Sequence, residues 1–170
     1  MSRHKIRPCL KLFTFDNELF QIEHEDITVK KSVEIDYNSY NHQMYSSIKE
    51  LSNILKFLDF RIIKSGEIIF DSNESEYKNL NFRFASKIAS IIKEDLNLSK
   101  NEKEEFEKTC LEFIEDNLKK MPYEMILAEN IINNSLNFGI KDFEEMNIKT
   151  YEKIQIATNL LKKQVENTQN

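Results

Sequence analysis

Three histidines and two cysteines carry most of the chemistry this chain could offer, and His24 has the most suggestive setting. In "EHED" three acids surround an imidazole and would raise its pKa. On a strand, however, Glu23 and Glu25 point to the opposite face, so they flank His24 without converging on it. His24 therefore reads as an exposed surface residue. His4 and His42 stand apart, and no second histidine at helical spacing completes a metal site. Cys9 and Cys110 are far apart and make neither a disulfide framework nor a metal knuckle. Cys110 shares an apolar stripe with Phe106, Phe113 and Ile114 and reads as core. Cys9, close to Lys11 on a strand, keeps a small opening for reactivity, and neither cysteine has a histidine partner visible along the chain. The run "NEKEEFEKTCLEFIEDN" gathers Glu102, Glu105, Glu112, Glu115 and Asp116 around one helix. With Lys103 and Lys108 interleaved it reads as a solvated face, the alternative being a surface for a basic partner. Two isolated glycines leave no room for a Gly-rich phosphate loop. The expectation is a protein with no catalytic residues, no metal and no cofactor, and hence not an enzyme.

Elements must position whatever function remains. A chain of 170 residues suits one domain, and 40% hydrophobic residues, 12 of them Phe, argue for a packed core rather than disorder. A net charge of -5 disfavours a nucleic-acid partner, which would call for a surplus of Lys and Arg. No apolar run approaches a membrane span, and "MSRHKIRP" is not followed by the h-region of a signal peptide. The expected location is a reducing cytoplasm, with no membrane association.

The expected fold is α+β, mainly α: a small N-terminal antiparallel β-sheet over residues 1–37, then an amphipathic helical bundle over 38–170 of the same compact unit. "CLKLFTF" and "LFQIE" flank the turn-forming "DNE" as a hairpin. In "ITVKKSVEIDY" Val33, Ile35 and Tyr37 alternate with Glu34 and Asp36 and extend the strand pattern. Met44, Ile48, Leu51, Leu55 and Leu58 then fall on one helical stripe. "FRIIKSGEIIF" reads as a hairpin turning at "KSGE", or as a helix end followed by a strand. Ala85, Ile88, Ile91, Ile92 and Leu96 form the next stripe. Ser99 and Glu102 have capping-box spacing before a helix that buries Phe106, Cys110, Phe113, Ile114, Leu118 and Met121 and stops at Pro122. Leu127, Ile131 and Ile132 mark its successor. Gly139 reads as a left-handed helix C-cap, and Thr150 as the cap of a last helix with Ile154, Ala157, Leu161 and Val165 on its stripe.

A helix, a Gly-centred turn and a second helix imitate a DNA-reading motif. Yet "KDFEEMN" presents Glu144 and Glu145 where a DNA reader needs basic or amide side chains. The same stretch, "LAENIINNSLNFGIKDFEEMNIKTYEKIQIATNL", resembles in outline the tail assembly chaperones of long-tailed bacteriophages, over about the last third of the chain. The resemblance implies a small, acidic, mostly helical protein without catalytic motifs. It would hold the tape measure protein, or another tail protein, soluble in the host cytoplasm while the tail tube polymerises. Ile126, Phe138, Phe143, Met146, Tyr151 and Ile156 fall off the main stripes or on short helices and are the expected partner-binding side chains. A small acidic helical adaptor or inhibitor acting by occlusion, and a divergent transcription regulator, are the other classes left open.

Overall fold

The computed structural model describes residues 9–40, 47–135 and 137–169. The protein is α+β and mainly α, with a four-stranded antiparallel sheet in its N-terminal half and seven helices among the described residues. The chain packs into two compact units that divide between Leu96 and Asn97, whereas the sequence alone suggested one unit with its β-to-α change at residue 37.

In the first unit, β1 (Cys9–Phe15) and β2 (Glu18–His24) form the expected hairpin. Its turn is Asp16–Asn17, both at positive φ, a conformation these residues tolerate and a two-residue hairpin requires. After β2 the strand expectation fails, because Val29–Tyr40 is a helix, α1. Thr28 caps it, its hydroxyl accepting from the Lys31 amide at 3.2 Å. Ser32 and Ile35, three apart, are buried while Val33 is exposed. The alternation of Val33 and Ile35 was thus a fragment of a helical period, and the Thr28 cap decided between the two. Next come α2 (Ser47–Phe57) and a second hairpin of β3 (Phe60–Lys64) and β4 (Glu67–Asp71), which turns at Ser65–Gly66 as favoured from sequence. Met44, assigned to the α2 stripe, lies outside the described residues.

The sheet order is β1-β2-β3-β4, so β3 adds to the N-terminal hairpin across two helices. Helix α3 (Phe82–Lys93) is capped by Asn81, which accepts from the Arg83 and Phe84 amides. It lies along one face of β1 and β2. Phe84 near its start meets Phe15 and Phe20, with ring centroids 5.1 and 5.0 Å away. At its other end the Ile91 carbonyl accepts from Lys11. Ile22, Ile35, Ile54, Phe60, Ile62, Ile88 and Ile92 complete this core with no exposed surface.

The second unit begins with α4 (Lys100–Glu115), opened by the expected Ser99/Glu102 capping box. Helix α4 ends before Leu118, because Asp116 leaves helical geometry and its side chain accepts from the Leu118 amide. Leu118, placed on the buried stripe by its spacing, is therefore 96% exposed. Pro122 is the N-cap of α5 (Tyr123–Ile132). The left-handed residue after α5 is Asn134, with φ 55, and Gly139 is extended at φ -98 and N-caps α6 (Ile140–Glu144). The Gly139 amide donates to Asp142 at 2.7 Å, so the glycine opens a helix instead of closing one. Asn147, not Thr150, caps α7 (Ile148–Gln169), accepting from the Lys149 and Thr150 amides. Phe106, Cys110, Met125, Ala128, Ile154 and Ala157 form the core of this unit. No helix among the described residues is long and apolar enough to cross a membrane.

Candidate functional site

Strand register creates a site that the linear sequence hides. Pairing runs from Phe15 opposite Glu18 back to Cys9 opposite His24, which puts both side chains on the face covered by α3. Asp95, just beyond α3, completes the group: the Cys9 sulfur, a His24 ring nitrogen and an Asp95 oxygen lie within 4.8 Å of one another. His24, expected at the surface, has no exposed area. The expected divergence holds for Glu23, which turns to the other face and pairs there with Arg61 at 2.9 Å, whereas Glu25 lies beyond the end of the strand.

Both ring nitrogens of His24 face acceptors. Nδ1 lies 2.7 Å from the Glu25 carbonyl oxygen, and Nε2 lies 2.7 Å from Asp95 Oδ2. A carbonyl can only accept, so Nδ1 carries a proton. Asp95 also receives the Lys11 ammonium at 3.0 Å, which favours its carboxylate form, so Nε2 is a donor too. The ring is an imidazolium. Burial, the largest influence, pulls it toward neutrality. The hydrogen bonds to Asp95 and Cys9 and to the Glu25 carbonyl outweigh that pull and raise its pKa to about 9. For Asp95 burial again comes first and opposes ionisation, but the hydrogen bonds from His24 and Lys11 prevail and lower its pKa. The cations also sit at the end of α3, where unpaired carbonyls favour positive charge.

This protonation has a chemical consequence. An imidazolium beside a thiol favours the thiolate, the charge pair by which cysteine nucleophiles are activated. Cys9, His24 and Asp95 share the residue types of a nucleophilic triad. What the group offers is three different ligand atoms held close together, with the Lys11 ammonium beside one of them, Asp95. The signal in the sequence was available: once the turn is placed at "DN", counting outward from it pairs Cys9 with His24. Asp95 gave no such signal, because only the packing of α3 brings it near.

The residues expected to bind a partner all lie in the second unit. Ile126 is 40% exposed, and the other five are half-buried. Phe138, Phe143 and Tyr151 form a ring trio with centroid separations of 5.4 and 5.9 Å. Phe143 and Tyr151 also line a shallow groove of about 400 Å³ with Ile131, Ile154 and Thr158. Met146 and Ile156 instead pack against the unit's own core. His4 and His42 lie outside the described residues. In the first unit a hollow of about 630 Å³, lined by Ser52, Asn53, Lys56, Ser72, Asn73 and Tyr77 among others, lies apart from the Cys9 cluster.

Cys110 is fully buried on α4, as its stripe implied. Burial first, then the Glu124 and Glu107 carboxylates, push its thiol pKa up to about 11 from 9.0. A raised acid pKa favours the fold below pH 9.0, and that contribution is lost as the pH rises through about 11. Two pKa units leave about 100-fold less thiolate at neutral pH, and burial slows attack further. Cys110 should accordingly react with a thiol reagent at least about 100-fold more slowly in the native protein than in urea. Mass mapping of the modified cysteine checks this, and equal rates in both states would contradict the packing described. Comparison with known proteins gives no matching family model, no matching curated protein and no matching solved structure.

Proposed function

We propose that the chain is a non-enzymatic protein-binding module, a tail assembly chaperone in kind. On this reading it works in the host cytoplasm, without catalytic cofactor or nucleic acid, and shields a long, apolar, helix-rich tail protein such as the tape measure. The observation that carries the reading is the outer face of the sheet. Leu10, Leu12 and Leu19 are 55, 68 and 60% exposed there. Register aligns Leu12, Gln21, Ile63 and Ile68 in one row across all four strands. Large aliphatic side chains in contiguous rows on an uncovered sheet face mark a binding surface, and the Glu23–Arg61 pair beside them limits self-association. This shifts the proposed contact away from Met146 and Ile156, which the second unit already uses.

The test is a Leu12→Lys, Leu19→Lys double variant co-expressed with a candidate tape measure protein. Neither side chain belongs to the core, so the circular dichroism spectrum and melting temperature should hold. Co-purification should fall, with affinity about 30-fold weaker for each side chain that acts as a hot spot. Unchanged co-purification would remove the sheet face from the hypothesis. Phe143→Ser tests the helical groove in the same assay. A second reading, occlusion of a basic partner, has one specific observation in its favour: Glu104, Glu107, Glu112 and Glu115, with a single Lys108 among them, surround the exposed Leu111 on α4. Binding that survives the leucine changes but falls steeply with salt would favour it.

A further inference from the structure

We propose that Cys9, His24 and Asp95 form a Zn²⁺ site that ties the open end of the β1–β2 hairpin to the chain leaving α3, with the Lys11 ammonium as the cation that zinc displaces. The inference is independent of the sheet-face reading. It reverses the expectation of no metal, whose ground was that no second histidine at helical spacing and no cysteine knuckle completed a ligand set; the register brings Cys9 and His24 together instead.

The geometry fits zinc in three respects. Tetrahedral coordination with bonds of about 2.0–2.3 Å sets ligand atoms about 3.3–3.8 Å apart. The three ligand atoms already lie within 4.8 Å of one another, with His24 Nε2 and Asp95 Oδ2 at 2.7 Å, so movements on the order of 1 Å per side chain reach that arrangement. His24 is pre-oriented, because Nδ1–H donates to the Glu25 carbonyl and leaves Nε2 aimed at the cluster, the outer-shell arrangement typical of metal-binding histidines. The ligand set of thiolate, imidazole and carboxylate matches zinc and not the all-oxygen preference of Mg²⁺ or Ca²⁺.

Charge and access agree with this. On binding, the Cys9 thiol and His24 Nε2 each release one proton to solvent, and sulfur and nitrogen donate the freed electron pairs to the metal, while Asp95 binds as it stands. Thiolate and carboxylate then neutralise the dication. Lys11 need not be stranded, since Glu94 Oε2 lies 3.5 Å from its ammonium and is largely exposed. Asp95 and Lys11 keep part of their surface in solvent, which gives the ion a way in and leaves the fourth position to water.

The experiment titrates tag-free, reduced, full-length protein with Co²⁺ as a spectroscopic probe and then with Zn²⁺. One equivalent of Co²⁺ should bring up a near-ultraviolet thiolate-to-cobalt charge-transfer band, and Zn²⁺ should bleach it. Cys9→Ser, checked by circular dichroism, should abolish the band. Lys11→Met, which removes the competing ammonium without touching a ligand, should keep the band and tighten Zn²⁺ binding about tenfold. No band in the wild type, a band that survives in Cys9→Ser, or unchanged or weaker Zn²⁺ binding in a folded Lys11→Met variant would each overturn the assignment.

Discussion

Asp95→Ala is expected to cost the metal-free protein about 3 kcal/mol or more, measured as a shift of the urea midpoint in the presence of a chelator. His24 is fully buried, and Asp95 is its charged partner at 2.7 Å. Removing the carboxylate strands a buried donor, or forces the ring to neutrality with its Nε2 lone pair left to the weak donor Cys9. Lys11 loses its 3.0 Å contact as well but retains Glu94, so histidine should dominate the cost. Asp95→Asn separates geometry from charge. Neutral His24 could still donate from Nδ1 to Glu25 and accept at Nε2 from the new amide, so this change should cost only about 1 kcal/mol. If alanine proves as mild as asparagine, the buried pair contributes little and the electrostatic account of this corner is wrong.

Phe84→Ala should be at least as damaging, about 3–5 kcal/mol, because a single ring closes the sheet–helix interface. Phe84 is 9% exposed and touches three other rings, with centroids 6.0 Å from Phe13, 5.1 Å from Phe15 and 5.0 Å from Phe20. Its loss removes both the buried area and the tilted ring contacts and opens a cavity that β1 and β2 cannot easily collapse to fill. Phe84→Leu retains much of the volume and should cost roughly half as much. Thermal melts of both variants decide the point. A small loss for alanine would mean that α3 is held to the sheet mainly by the aliphatic side chains at Ile88 and Ile92.

Legibility followed the range of the physical signal. Local chemistry that acts over three or four residues could be read directly: the Ser99/Glu102 capping box, a hairpin turn within "DNE", and the buried stripe through Phe106 and Cys110. Such features need only neighbouring backbone amides or one helical face, so their residues are adjacent in the text. Where two local signals competed, the weaker inference lost. Thr28 outweighed the alternation at Val33 and Ile35, and Asn134 took the left-handed position that Gly139 was expected to hold.

The sequence by itself determined an α+β chain, mainly helical, with an N-terminal hairpin and an acidic balance. Only the tertiary structure decided what faces what. It buried His24, which looked solvent-exposed beside three acids, because its strand position faces α3 and Asp95 while Glu23 turns to the other face. It left Leu10, Leu12 and Leu19 outside, although their hydrophobicity matched that of the core, because a sheet has two faces and α3 lies on the other. Alternation along a strand shows that its two faces differ but does not say which one will be covered. That depends on contacts between Phe84 and Phe20, Lys11 and Ile91, and His24 and Asp95, residues 64 or more positions apart in the chain, and no periodicity within either segment encodes them.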